Sequence, residues 1–375
     1  LNRRWSIVFV LFALAVVGIA WLVGKRGGVP PLVDRETVVE IEQISEESTY
    51  VGKQACRECH AENFRLHQQS GHASTFESTR TSPIAKRFAD VTFDAGQPYG
   101  EFAYAVDKDG LYALNRGKFG EDHFPLQYVV GSGHHAVTLF SLIPDVEGGT
   151  VGIEHRVSWY ASDDQLSITP GQSDEAPDDE AEFFGETIRG KDMHGCVFCH
   201  TTTGQIVGQE IVDLTPNVDC EKCHGPASEH VRLAKISDNP PPFSVGRDDF
   251  DAEAELQLCG SCHRLPKDMT AKQMRDYPNT VVRFQPVGLL RSECYLQSDG
   301  QLRCTTCHNP HMASKATPTA QHVKNCINCH QQDSETHVAC PVSPAERCIE
   351  CHMPAVKFAR EIAFHDHWIR VRQPE

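Results

Sequence analysis

The sequence predicts a mostly irregular and α-helical fold of short helices packed around bound groups, with a small antiparallel β insertion and one N-terminal transmembrane helix. Three observations predict it. The pentapeptide C-x-x-C-H occurs seven times and uses fourteen of the sixteen cysteines. The run from Trp5 to Val23 is apolar apart from Ser6 and Gly18, which is long enough to cross a bilayer. Between the first and second motifs lie 135 residues with alternating apolar patterns typical of strands.

The motifs come first because they set the chemistry. They are Cys56/Cys59/His60, Cys196/Cys199/His200, Cys220/Cys223/His224, Cys259/Cys262/His263, Cys304/Cys307/His308, Cys326/Cys329/His330 and Cys348/Cys351/His352. Two thiols separated by two residues share one side of a helical turn, where they form thioethers with the two vinyl groups of a haem. The next residue, histidine, binds the iron from below. Zinc sites pool two C-x-x-C pairs into one tetrahedral centre and have no use for a histidine after every pair. A thioredoxin-like redox pair occurs once, beside a βαβ pattern. The pattern therefore specifies seven covalently attached haems c, and the fold class is a multihaem cytochrome with short helices around a haem core.

The elements follow in chain order. Residues 1–26 are expected to be a membrane anchor, with Trp5 and Trp21 at its two interfaces. A signal peptide cleaved near Gly18 and Ala20 is the competing reading, but the apolar run continues past that point. Leu1 is expected to be an alternative start codon read literally. Haem attachment occurs outside the cytoplasm, so residues 27–375 are expected on the periplasmic side of a bacterial inner membrane, held by a single span. Residues 27–50 are a polar linker. Residues 51–190 form a first-haem region with the β insertion, expected to be a modest sheet of four to six strands. Its clearest signal is "GEFAYAVDKDGLYALNRG" at 100–117, which alternates around an Asp-Gly turn. Residues 191–375 are the six-haem region, with six motifs in 157 residues and short helices such as "DAEAELQLCGSCH". The formal charge of −16 argues against nucleic acid as a partner. The run "SDEAPDDEAE" at 173–182 reads as an exposed acidic loop, a surface that suits solubility or a basic redox partner.

Several segments together carry a family resemblance: "YVGKQACRECH" with "FRLHQQSGHAST", "WYASDDQLSITPG", "CEKCHGPASEH", "SECYLQSDGQLRCTTCHNPH", and "CIECHMP" with "FHDHWIR". From about residue 50 to 371 the chain resembles the cytochrome c-552/4 (cytochrome c554 and c-prime) family of multihaem cytochromes. The resemblance implies electron transfer through closely packed, mainly bis-histidine haems, and no particular substrate. It favours His72, His230 and His311 as distal ligands. Near the first motif, His67 stands where related sequences often have tryptophan, so His67 and His72 both stay candidates.

Seven irons have room for seven distal ligands, and thirteen histidines lie outside the motifs. His311 is three residues from His308, too close to reach the far face of the same haem, and is expected to serve a neighbour. His194, two residues before Cys196, is placed in the same role. His134 (or His135), His322 and His365 (or His367) complete the set. Two functions compete. The first is a membrane-anchored heptahaem electron carrier, passing electrons from a quinol-oxidising membrane complex to redox partner proteins. The second is a multihaem reductase of a small nitrogen or sulfur compound, with one open haem. A passive docking subunit is a third possibility. The spare cysteines, Cys294 and Cys340, are expected to form a disulfide; free thiols or a thiolate ligand are the alternatives.

Overall fold

The computed structural model describes residues 48–115, 123–237, 240, 243–330, 340–343, 346–360 and 362–372. The expected membrane anchor and most of the linker lie outside the described residues. Among the described residues no helix is long and apolar enough to cross a membrane.

The first motif lies on a short helix, α1 (Gln54–Arg57). The chain then enters the insertion. After β1 (Phe76–Ser78), four strands pair in succession as one antiparallel sheet: β2 (Thr92–Asp94), β3 (Glu101–Asp107), β4 (Gly110–Leu114) and β5 (His123–Leu126). The β3–β4 hairpin closes where the sequence places its Asp-Gly turn. Asp107 Oδ1 accepts the amides of Asp109 and Gly110 at 2.7 and 3.2 Å, and Gly110 takes a positive φ that favours glycine.

A second antiparallel sheet follows. It comprises β6 (Tyr128–Val130), β7 (Ala136–Pro144), β8 (Thr150–His155), β9 (Val157–Tyr160), β10 (Gln165–Ile168) and β11 (Gly185–Ile188), together with β1. Its main path runs β1-β6-β7-β8-β11, with β9 on β7 and β10 on β9. At Gly185 the β8 backbone passes so close that an added Cβ would meet Glu154 O at 2.0 Å. No other residue type fits there.

This insertion is larger than the modest sheet the sequence suggests, because its additional strands are only three or four residues long. Such pieces are too short to show an alternation. They form because the two sheets share a side-chain core. Phe102, Phe124, Phe183 and Phe184 cluster there, with Phe124 and Phe184 stacked 4.4 Å apart. A fully buried side chain of that size contributes about 1.5–3 kcal/mol. His155 belongs to this core and is fully satisfied, with its Nε2 2.9 Å from Tyr104 Oη and its Nδ1 2.8 Å from Phe184 O.

The motif region is built differently. Its helices are α2 (Gly190–His200), α3 (Cys220–His224), α4 (Ser228–Ile236), α5 (Ala252–His263), α6 (Cys304–Cys307), α7 (Thr319–Cys329) and α8 (Cys348–His352). Two hairpins interrupt them, β12 (Thr201–Val207) with β13 (Glu210–Pro216), and β14 (Ala355–Ala359) with β15 (Ile362–His365). Few apolar side chains are buried beyond Val197, and most of the fully buried large ones sit in the insertion.

Candidate haem-binding centre

Each motif places its two thiols on one turn of helix, as attachment to one ring requires. The motif helices then pack on one another: α5 on α2, α6 on α5, α7 on α6 and α8 on α7. Motif thiols abut across motifs in the pairs Cys56 with Cys220, Cys199 with Cys262, and Cys259 with Cys304. At the fifth motif, a groove of 430 Å³ is lined by Cys307, His308, Pro310, Met312 and Asn325, among others.

The expected core does not enclose every attachment residue. Cys59 and His60 of the first motif, Cys329 and His330 of the sixth, and Cys351 of the seventh are exposed to solvent. The reason is local. Helices α1, α7 and α8 bury none of their own residues, so the polypeptide backs these motifs from one side only. The second motif shows the contrast, because α2 buries Met193 and Val197 against the insertion. Exposure leaves the C-x-x-C-H spacing intact, and with it the capacity of these residues for attachment. It means that the first, sixth and seventh sites lie at the surface of the haem array rather than within it.

The imidazoles carry the most specific geometry. An imidazole nitrogen bonds a metal at about 2 Å and lies a little over 1 Å from its own ring centre, so two imidazoles on opposite faces of one iron have centres slightly more than 6 Å apart. Four motif histidines face a non-motif histidine at that spacing. The centroid distances are 6.3 Å for His60–His230, and 6.2 Å for each of His263–His72, His224–His311 and His308–His367. In all four the partner comes from elsewhere in the chain. The donor set therefore fits haem iron.

Hydrogen bonds orient several of these rings. The Nδ1 of His367 donates to His365 O at 2.9 Å, and that of His352 to Arg370 O at 3.0 Å. This leaves Nε2 as the nitrogen free to bind metal. Burial holds His224, His263 and His367 down to about 4, with neighbouring imidazoles adding to the effect at His224 and His263. They are neutral at physiological pH, the form that ligates. At His200, burial also depresses the ring, and its Nδ1 is buried with no hydrogen-bond partner among the described residues.

The remaining candidates divide. His72 faces the fourth motif rather than the first. His67 is buried with its Nε2 2.9 Å from Val218 O, so that nitrogen is already engaged. His322 lies 5.6 Å from His308, nearer than His367 does. His134 sits beside Gly71, and His135 packs its ring 5.4 Å from Phe364. His194 is exposed on α2. His365 is exposed and its Nδ1 donates to Met353 O at 2.7 Å. Among the described residues His134, His194 and His365 face no motif histidine at the four-pair spacing.

Sequence reasoning placed His365 ahead of His367. The signal that separates them is Asp366 between them, which is fully buried. It accepts hydrogen bonds from Tyr277 Oη, the Trp368 amide at 2.9 Å, Arg370 at 3.1 Å and Arg372. That anchor fixes the turn that presents His367.

The expected disulfide is not formed, and Cys294 and Cys340 are both free thiols. Cys294 is raised by burial beside the motif thiol of Cys329, whereas Cys340 is lowered by the amides of Ser343 and Val342. They occupy different surroundings.

Comparison with known proteins agrees with this chemistry. Residues 157–225, which hold the second and third motifs, match the family model described as cytochrome c554 and c-prime. No curated protein matches the chain. Among solved structures it is similar to the outer cell wall cytochrome OcwA, at 13% identity and a TM-score of 0.48, over 86% of this chain and 79% of that one. It is also similar to an undecahaem cytochrome from the S-layer of Carboxydothermus ferrireducens, at 14% identity and a TM-score of 0.46. That match covers 87% of this chain and spans about half, 52%, of the other.

Proposed function

Since the chain is a multihaem c-type cytochrome with a cytochrome c554 and c-prime segment, and so an electron-transfer protein, we propose that it carries seven haems c and relays electrons through mainly bis-histidine sites. The observation that carries this reading is the set of four histidine pairs at 6.2–6.3 Å, each joining a motif to a distant part of the chain. Bound haem supplies reversible one-electron chemistry, with potentials that bis-histidine ligation keeps low relative to Met/His. The chain's residues hold the rings. His230 closes the first site, His311 the third, His72 the fourth and His367 the fifth, and each crossing pins two haem units together. His134, His194, His322 and His365 are the pool for the other sites.

The same reading places the protein on the periplasmic side of a bacterial inner membrane, anchored by residues 5–23. Electrons enter from a quinol-oxidising membrane complex and leave to a redox partner protein. The exposed acidic stretch from Asp174 to Asp179 suits a basic partner. Intact mass and EPR of the purified protein test the core of this. The expected result is seven covalent haems with low-spin signals throughout, or all but one. Four or five haems refute the count. A strong high-spin signal with nitrite binding and turnover moves the assignment to a reductase.

A further inference from the structure

Two buried carboxylates in the motif region take no part in covalent attachment or axial ligation, yet each spans two motifs. Glu221, inside the third motif, is 4% exposed. Its Oε1 accepts the Val51 amide at 2.9 Å and the Ala227 amide at 3.0 Å, and its Oε2 accepts the Gly52 amide at 2.8 Å. Val51 and Gly52 lead into α1 and His60. Ala227 leads into α4 and His230. One side chain of the third motif thus holds both arms of the His60–His230 pair. Glu255, one turn before Cys259 in α5, is 5% exposed. It accepts the amide and hydroxyl of Thr305, inside the fifth motif, at 2.8 and 2.9 Å.

Neutral donors satisfy both carboxylates, so neither charge is cancelled by these bonds. A carboxylate buried this way keeps its negative charge in a medium of low dielectric, at a cost that an amide of the same shape avoids. Such a charge beside a metal centre opposes adding an electron to it. Both positions therefore combine a tie between neighbouring motifs with an uncompensated charge.

Resting on the heptahaem reading, we propose that Glu221 and Glu255 are positioning residues for electron transfer: Glu221 fixes the first haem site against the third, Glu255 fixes the fourth against the fifth, and their charges hold the adjoining potentials low. The test uses full-length holoprotein with Glu221→Gln, Glu255→Gln and, as a control, Glu58→Gln, an exposed glutamate in the first motif. Each is checked for haem load by intact mass, then titrated spectropotentiometrically and examined by EPR. At wild-type haem load, the two buried variants are expected to raise the midpoint of part of the haem population and to alter the low-spin EPR signals. The control shifts less. Thr305→Val removes a donor but keeps the Glu255 charge, so it is expected to shift the midpoint the opposite way, and it reads the proposal even if a Gln variant fails to load haem. Titrations of the buried variants that superimpose on wild type, an equal shift in the control, or no shift with Thr305→Val overturn it. A wild-type mass below seven haems sinks the heptahaem count but leaves this test standing, since it needs only the first, third, fourth and fifth sites.

Discussion

At the scale of single residues, the histidines separate by what each ring nitrogen is already doing. His155 is engaged at both nitrogens inside the β core, and burial holds it down to about 3. Because that value is depressed, the unfolded chain takes up a proton first as pH falls below about 6.5, and the folded state loses stability from there down to about 3, by a few kcal/mol in all. His155→Gln is expected to be less stable at pH 7 and to show a flatter acid dependence in denaturant melts between pH 7 and 4. His311 faces only the third motif's imidazole, so His311→Ala is expected to convert about one seventh of the haem from low-spin to high-spin, measured by EPR. His72→Met keeps a ligand at the fourth site and is expected to raise one midpoint potential, because Met/His ligation favours the reduced iron. A titration identical to wild type counts against the His72–His263 assignment.

Among the elements, the motif helices are short and depend on their first turns. Asp251 caps α5, with its Oδ1 accepting the Ala254 amide at 2.9 Å. Asp251→Ala is expected to cost about 1 kcal/mol of stability in a denaturant melt. Helix α5 was legible in advance, since its apolar spacing runs straight into a motif, and so was the β3–β4 hairpin, through its Asp-Gly turn. The β12–β13 hairpin was not. It turns at Gly208 between Val207 and Glu210, and its residues read as linker because they lie between two motifs and mix threonine with isolated apolar residues. The attachment residues were legible because covalent chemistry dictates their spacing. How far each is enclosed was not, since the same pentapeptide leaves Cys59 and Cys351 exposed and Cys199 and Cys262 half-buried. The distal partners are likewise a matter of tertiary placement. Nothing local to His230 points to His60, and His365 and His367 differ only in which one the buried Asp366 turns inward.

The whole molecule combines two kinds of interior. The insertion from Phe76 to Ile188 closes on aromatic and aliphatic side chains, whereas the motif region buries few of them. Chain made without haem attachment is therefore expected to keep a protease-resistant fragment spanning the insertion and to lose the region beyond Val197 to limited proteolysis. Equal digestion of both, or equal resistance, contradicts this division. Deleting residues 1–26 is expected to move the holoprotein from the membrane fraction to the soluble periplasm, as followed by haem stain.

The four histidine pairs also have a direction in time. A chain exported from its N-terminus presents the first motif early, but His230 emerges about 170 residues after His60. His367 lies near the far end, about 60 residues after His308. The first site therefore waits half-closed through much of export, and the fifth waits almost to the last residues. A polypeptide cut short before residue 367 retains all fourteen attachment cysteines and still leaves one iron without its second imidazole. Its spectrum would announce that it is unfinished, so the tail of the chain serves as a seal of completeness.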